Sequence, residues 1–245
     1  MNLTRKHAYM ALLAIAACSG AQLQAKEAPS CPAVQQYGMS LKFQNRSAEV
    51  QALQLQAYNL AEHRLKEILQ ANPQAKNLAI VTDLDETVLD NTDVFVNDLK
   101  RCEDYTNWKS WDAWEQSGQP KLIPGSLDFL QFADQQGIKI FYVSDRAEKY
   151  RTSAMRMMKQ LNLPQVQSQQ ILLYGTSKEQ RRQSISKDYE IALLLGDTLH
   201  DFSGAFSNQQ TAAERAAAVA QNREKFGDRF IVLPNVSYGA WSKAE

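Results

Sequence analysis

The chain has 245 residues, which is long enough for one large domain or a compact domain with an insertion. Hydrophobic residues make up 44% and charged residues 22% of it, so a packed core is expected and global disorder is excluded. Lys plus Arg and Asp plus Glu each number 27, so no overall positive charge attracts nucleic acid polymers. Function must therefore depend on a local group of residues.

Residues 1–17 predict a secretory signal peptide rather than part of the fold. Two basic residues precede an apolar run over residues 8–17, which is shorter than the roughly 20 residues of a membrane-spanning helix. The tetrapeptide that ends at Cys18 resembles the lipobox of bacterial lipoproteins, in which the cysteine is lipidated. Cleavage after Ala21 or Ala25 without lipidation is the alternative. Both interpretations predict export, either to the outer membrane with a lipid anchor as the only membrane attachment, or to the periplasm.

Export would place the two remaining cysteines, Cys31 and Cys102, in an oxidising compartment. A disulfide between them would close a loop of roughly 70 residues and stabilise the fold by about 4 kcal/mol. Two free thiols are the alternative, because the sequence does not give the distance between them.

Hydrophobic periodicity predicts one long helix followed by alternating strands and helices. Residues 19–46 are polar and show no clear period, whereas Ser47–Ala71 carries apolar residues at spacings of three and four, typical of an amphipathic helix. The Asn-Pro pair after it ends this helix. Strands are predicted at Leu78–Thr82, Ile138–Val143, Ile171–Tyr174, Ile191–Leu195 and Phe230–Leu233, and further helices at Ser126–Gln136, Ala147–Leu161, Lys178–Lys187 and Thr211–Phe226.

Apolar strands that alternate with helices indicate an α/β fold, with a doubly wound parallel sheet covered by helices on both faces. Ligands of such sheets bind beyond the carboxyl ends of the strands. Candidate functional residues are therefore expected directly after the predicted strands.

Carboxylates, an alcohol and a lysine follow these strands. They are Asp83 and Asp85 after the first strand, Ser144 and Asp145 after the second, Lys178 after the third, and Asp197 and Asp201 after the fourth. So many carboxylates would repel one another and raise each other's pKa, and a divalent cation relieves such repulsion. Oxygen ligands favour Mg²⁺, which is the predicted cofactor.

In this order the residues resemble the four motifs of the haloacid dehalogenase (HAD) superfamily, whose first motif here is Asp83-x-Asp85-x-Thr87. More narrowly, residues 83–91 (DLDETVLDN) and 233–241 (LPNVSYGAW) resemble the class C acid phosphatases of the lipoprotein e (P4) type. The resemblance implies a HAD-like, Rossmann-type fold with an N-terminal segment and helix over residues 18–72. It also implies a phosphatase core over residues 73–245, with a small cap inserted at about 92–123.

The resemblance further implies hydrolysis of phosphomonoesters through an aspartyl-phosphate. Asp83 is the implied nucleophile and Asp85 the implied general acid and base. Mg²⁺ is implied to be held by Asp83, Asp197 and the main-chain carbonyl of Asp85. Asp201 is implied to hold metal-bound water or to orient the lysine of the third motif, although an Asp here can also cap a helix. His200 lies inside the fourth motif and is not predicted as a ligand.

Ser144 and Lys178 are the implied phosphate contacts, one as a hydrogen-bond donor and the other as a positive charge. Arg181 and Arg182 lie one turn further along the same helix and are alternatives to the lysine. Arg146 is interpreted either as a phosphate contact or as a solvated or salt-bridged arginine.

Aromatic residues are concentrated in the predicted cap. Three of the four tryptophans recur there at a spacing of three, which favours a small hydrophobic core over a substrate-facing wall; they are Trp108, Trp111 and Trp114. In the resembling family a tyrosine at the position of Tyr238 stacks on the base of the substrate. A core tyrosine packed beside Trp241 is the alternative.

The sequence thus predicts an exported, Mg²⁺-dependent phosphomonoesterase, a 5′-nucleotidase that acts on nucleoside 5′-monophosphates or related small phosphates. A homodimer is a further prediction. The alternative is a catalytically silent surface lipoprotein that binds haem or a nucleotide, although such a protein would have no use for a general acid at Asp85.

Overall fold

A parallel sheet lies at the centre of the protein, for which the computed structural model describes residues 30–207 and 209–243. The strands within these residues are β1 (Leu78–Thr82), β2 (Leu89–Asp90), β3 (Lys121–Leu122), β4 (Lys139–Val143), β5 (Ile171–Leu172), β6 (Glu190–Gly196) and β7 (Phe230–Val232). Strands β5, β4, β1, β6 and β7 lie side by side in this order and are all parallel, whereas β2 and β3 form a separate antiparallel pair. The predicted α/β fold is confirmed. The predicted signal peptide at 1–17 and Cys18 lie outside the described residues.

Helices cover the sheet, and several begin at a capping residue. They are α1 (Pro32–Arg46), α2 (Ala48–Ala71), α3 (Thr92–Lys100), α4 (Trp111–Ser117), α5 (Ser126–Gln135), α6 (Arg151–Gln160), α7 (Lys178–Ile185) and α8 (Ala212–Gln221). Ser47 accepts the N–H of Val50 at the start of α2, and Ser177 and Thr211 form capping boxes at the starts of α7 and α8. Among the described helices, none combines the length and the apolar character needed to cross a membrane.

The predicted elements are present with shifted ends, and α1 is a helix that the sequence did not predict. The strand predicted at Ile171–Tyr174 is only the two residues of β5, and a 3₁₀ turn at Glu148–Tyr150 precedes α6. Residues 32–46 lack a clear hydrophobic period because α1 buries only Ala33, Leu41 and Gln44. Tertiary contacts rather than an apolar stripe therefore hold this helix.

Two hydrophobic clusters lie on opposite faces of the sheet, because successive side chains of a strand point in opposite directions. In β1, Leu78 and Ile80 pack with α2 and α5, whereas Ala79 and Val81 pack in the cluster that contains residues of α7 and α8. Both faces are thus occupied by packing, and the ends of the strands are left for chemistry.

A disulfide joins Cys31, before α1, to Cys102, just after α3, with 5.5 Å between the Cα atoms. The interpretation as two free thiols is therefore wrong. Helices α1 and α3 pack together in a third hydrophobic cluster, against which Trp111 and Trp114 also pack. Trp111 and Trp114 thus pack in a hydrophobic core, which they share with α1, whereas Trp108 remains 38% exposed.

Candidate active site

The carboxyl ends of β1, β4 and β6 bring predicted site residues together. These strands are neighbours in the sheet, and Asp83, Ser144 and Asp197 directly follow them. The N–H of Asp83 extends the pairing of β1 with β6 by donating to the carbonyl of Leu195 (3.0 Å). Asp83 is therefore fixed where parallel sheets present residues to a ligand.

A tight turn follows Asp83 and leads the chain into β2. The carbonyl of Leu84 accepts backbone N–H groups from within this turn, and Glu86 adopts the left-handed conformation with a φ of 57°. From α2, the hydroxyl of Tyr58 donates to the carbonyl of Thr87 (2.6 Å). Helix α2 thereby supports the turn.

Lys178, the first residue of α7, lies between two buried carboxylates. Its ammonium group is 2.6 Å from Asp83 Oδ1 and 2.5 Å from Asp201 Oδ1. Burial opposes the charge of Lys178, but Asp201 and Asp83 outweigh this effect and raise its pKa. Burial likewise opposes the charge of Asp201, but Lys178 outweighs it and lowers the pKa of that carboxyl. Gly196 permits this approach, since a Cβ there would overlap the side chain of Asp201.

Asp197 completes a group of three carboxylates that could hold a metal ion. Oxygen atoms of Asp83, Asp197 and Asp201 all lie within 4.8 Å of one another. Burial and the nearby carboxylates raise the pKa of Asp83 to about 7 and that of Asp197 well above its usual value. Lys178 directly contacts only two of the three, while Asp197 accepts a hydrogen bond from Asn235 Nδ2 (2.7 Å). The excess of buried negative charge and the all-oxygen donor set fit a hard divalent cation.

The side chain of Asp85 has different partners. Its carboxylate accepts hydrogen bonds from Arg146 Nε (3.0 Å) and Nη2 (2.7 Å), and from Asn91 Nδ2 (2.9 Å). Ser144 Oγ, the predicted phosphate donor, donates to it at 3.3 Å. Arg146 is only 3% exposed, and its guanidinium lies 5.7 Å from the centre of the Trp111 ring. It is thus a buried, salt-bridged arginine.

The alternatives to Lys178 are occupied elsewhere. Arg181 donates to the backbone carbonyls of Ser144 and Leu172, and it forms an ion pair with Asp145. Arg182 donates to the backbone carbonyls of His200 and Asp201, and it forms an ion pair with Glu179. Both arginines therefore connect loops of the site, and Lys178 is the cation that contacts Asp83.

His200 and Asp201 have structural contacts of their own. His200 Nδ1 lies 2.9 Å from Thr198 Oγ1, and Nε2 lies 3.4 Å from Asp145 Oδ2. Asp201 accepts the N–H and the hydroxyl of Thr198, which caps a short 3₁₀ turn. Asp201 therefore takes part in the capping box of this turn and also contacts Lys178.

A groove of about 700 Å³ lies beside the loop that follows β7. Trp108, Tyr238 and Trp241 are among the residues that line it. The ring of Tyr238 packs edge-on against Trp108 and Phe95, with centroids 4.9 and 5.6 Å apart. Its hydroxyl donates to Glu86. Tyr238 therefore packs against aromatic residues from the segment between β2 and β3, with one end anchored in the turn after β1.

Four residues were missed as part of this site: Gln44, Glu86, Asn91 and Asn235. Three of them lie inside the two motifs that carried the family resemblance. The motifs thus marked these positions in the sequence, but they did not indicate a role for them. Gln44 could not be found from the sequence, because it lies on α1, a helix that the hydrophobic pattern does not predict. Its side chain donates to the carbonyl of Pro234 (2.9 Å) and accepts the N–H of Val236 (3.2 Å).

Comparisons with known proteins agree with this geometry. A family described as the HAD superfamily, subfamily IIIB (Acid phosphatase), matches residues 4–241. The chain is similar to the class C acid phosphatase from Bacillus anthracis, with 33% identity over 86% of this chain and 89% of that one, and a TM-score of 0.80. A class C acid phosphatase from Bacillus anthracis with tungstate bound matches with 33% identity over 88% of this chain and 90% of that one, and a TM-score of 0.81. The chain therefore belongs to the acid phosphatases of HAD superfamily subfamily IIIB and is a phosphomonoesterase.

Proposed function

We propose that this protein is an exported, Mg²⁺-dependent phosphatase that hydrolyses nucleoside 5′-monophosphates and related small phosphomonoesters. The observation that supports this most directly is the cluster of Asp83, Asp197 and Asp201, two of which contact Lys178, with a further carboxylate, Asp85, on the same turn as Asp83. A protein that only binds a ligand would need no such pair of carboxylates.

Two carboxylates carry the chemistry. An Oδ atom of Asp83 attacks phosphorus while the bond from phosphorus to the leaving oxygen breaks, and Asp85 gives that oxygen a proton. Water then attacks the phosphorus of the aspartyl-phosphate and gives a proton to ionised Asp85. Inorganic phosphate leaves, and Asp83 is regenerated.

Asp83, Asp197 and the main-chain carbonyl of Asp85 would hold Mg²⁺, with Asp201 beside them. When bound, the ion supplies positive charge that reduces the repulsion between a carboxylate nucleophile and a phosphate dianion. Lys178 adds a second positive charge at Asp83. Ser144 would exchange its bond to Asp85 for one to a phosphoryl oxygen.

The preference for nucleotides rests on the groove beside Tyr238. Aromatic faces stack on bases with little dependence on sequence, and each such contact contributes about 1–3 kcal/mol. Tyr238 and the partly exposed Trp108 line this groove and contact each other, so a planar base has aromatic surface available on that side.

Kinetics on the purified mature chain test the function. We expect hydrolysis of an aryl phosphate and of a nucleoside 5′-monophosphate, loss of both activities with EDTA, and recovery with Mg²⁺. Asp83→Asn should remove turnover, while Asp85→Asn should still form some phosphoenzyme from a substrate with a good leaving group. Asp188→Asn is the matched control, because Asp188 is exposed and precedes β6, away from the carboxyl ends of the strands. Turnover by Asp83→Asn at a near-normal rate would refute the aspartyl-phosphate.

Export and lipid anchoring are supported by the sequence of residues 1–18. Cys18→Ser should release the protein from membranes or leave the precursor uncleaved, with no incorporation of labelled fatty acid. Stable anchoring needs more than one acyl chain, so mass spectrometry of the wild-type N-terminus should find several. A mature wild-type chain that begins at Gln22 or Lys26 would show simple cleavage of the signal.

A further inference from the structure

Glu86 is a buried carboxylate that the proposed chemistry does not use. It is 1% exposed, and its Oε1 accepts hydrogen bonds from the backbone N–H (3.0 Å) and the side-chain amide (3.1 Å) of Asn91. Its other oxygen accepts the hydroxyl of Tyr238, a residue 152 positions away in the sequence. The carboxylate therefore links the turn that carries the nucleophile to the loop after β7.

We propose that Glu86 is a positioning residue that fixes the ring of Tyr238 and thereby determines the preference for leaving groups that contain a planar ring. This inference rests on the nucleotide preference given under Proposed function. The preference for nucleotides is then set by Glu86, in the turn after β1, as well as by the groove.

The contacts of Tyr238 define a single orientation of its ring. The backbone near it is held by Asn235, whose Oδ1 accepts the N–H of Ser237 (2.8 Å) and whose amide bonds Asp197. The ring edge is held by Trp108 and Phe95, and the hydroxyl by Glu86. Without the last contact the ring could still turn about its side-chain bonds, because edge contacts between rings are weak and tolerate rotation.

The conformation of Glu86 is consistent with this role. A residue other than glycine with a φ of 57° is uncommon, and this one points its carboxylate inward from a tight turn. A buried carboxylate needs hydrogen-bond donors, and those it has come from Asn91 and Tyr238. Asn91 in turn bonds Asp85, so the same network joins the general acid to the ring.

Tyr238→Phe tests the contact most cleanly, because it keeps the ring and removes only the hydroxyl. The readout is the ratio of kcat/KM for a nucleoside 5′-monophosphate to kcat/KM for a small aryl phosphate. Loss of one buried hydrogen bond should lower this ratio roughly 3-fold to 10-fold, through a higher KM for the nucleotide at little change in kcat. Glu86→Ala should lower it as much, and the double variant should add little, since both changes remove one contact.

Glu86→Gln is the conservative variant. Its amide can donate to the oxygen of Tyr238 while its carbonyl accepts from Asn91, so the ratio should stay near that of the wild type. Tyr142→Phe is the matched control, because it removes a tyrosine hydroxyl that bonds the carbonyl of Pro164 outside the site. A melting curve for each variant identifies any general loss of stability.

Two results would overturn the inference. If Tyr238→Ala lowers the ratio but Tyr238→Phe does not, the ring acts without Glu86, and the nucleotide preference stands alone. If Tyr238→Ala also leaves the ratio unchanged, the aromatic platform itself is wrong and the role of Glu86 fails with it.

Discussion

The ammonium group of Lys178 lies 2.6 Å from a carboxylate oxygen of Asp83, although 95 positions separate the two residues in the sequence. Both side chains are buried, and the same ammonium group contacts Asp201. The nucleophile of the proposed reaction is thus held by a cation that also balances part of the charge of the carboxylate cluster.

Lys178→Met should destabilise the metal-free protein by about 3–5 kcal/mol, because it leaves buried carboxylates without their cation. Unfolding by urea in the presence of EDTA measures this change. Lys187→Met, at an exposed position just beyond α7, is the control and should change stability little. An equal stability of the Lys178 variant and the wild type would mean that the ion pairs contribute nothing.

The stability of the metal-free enzyme should depend on the ionisation of Asp83. Its pKa rises from 3.8 to about 7 on folding, mainly through burial. At a pH between these two values, Asp83 is therefore protonated in the folded protein and ionised in the unfolded chain. The stability contribution of the protonated group is present below pH 4 and is lost as the pH rises towards 7. The Asp83→Asn side chain cannot ionise, so the variant does not lose this contribution. Relative to the wild type, its free energy of unfolding should therefore increase by up to about 1.4 kcal/mol for each pH unit between pH 4 and pH 7.

Melting curves of wild type and Asp83→Asn between pH 4 and pH 8, with EDTA, measure the difference. Parallel curves would show that Asp83 keeps an ordinary pKa. Added Mg²⁺ should stabilise the wild type more than the variant, since the variant lacks one of the proposed ligands.

Arg146→Lys should lower kcat for an aryl phosphate by about 10-fold to 100-fold. Arg146 contacts Asp85 through two nitrogen atoms and also contacts Asn91 (3.1 Å), whereas a lysine offers a single point charge and cannot reproduce this geometry. The estimate corresponds to the loss of about 1.5–3 kcal/mol, typical of a hydrogen bond to a charged group. Arg156→Lys, at an exposed position of α6, is the control. Unchanged kcat would exclude Arg146 from orienting Asp85.

Cys31→Ser combined with Cys102→Ser should lower the free energy of unfolding by about 2–5 kcal/mol. The bridge closes a loop whose ends are 71 positions apart, and it ties down α1, which carries Gln44 beneath the loop after β7. Urea unfolding of the double variant, compared with the oxidised wild type, measures the effect. The reduced wild type should be as unstable as the double variant, and a loss below about 1 kcal/mol relative to the oxidised wild type would mean that packing alone holds α1.

The sequence by itself determined the layered α/β fold and the position of most site residues along it. Apolar strands and amphipathic helices leave local patterns, and a parallel sheet brings the carboxyl ends of its strands to one edge. Asp83 and Asp197 could be assigned to that edge for this reason alone. The N-terminal helix α1 could not be predicted in the same way, because only Ala33, Leu41 and Gln44 are buried along it.

Only the tertiary structure decided which side chains meet within the site. Lys178, Arg181 and Arg182 are spaced to lie on one face of a helix and are all buried, so periodicity could not choose among them. Their directions depend on neighbouring loops, which place the lysine on Asp83 and the two arginines on backbone carbonyls. The contacts of Arg146 with Asp85 and of Glu86 with Tyr238 likewise join loops far apart in the chain, and loops carry no period from which a side-chain partner can be read.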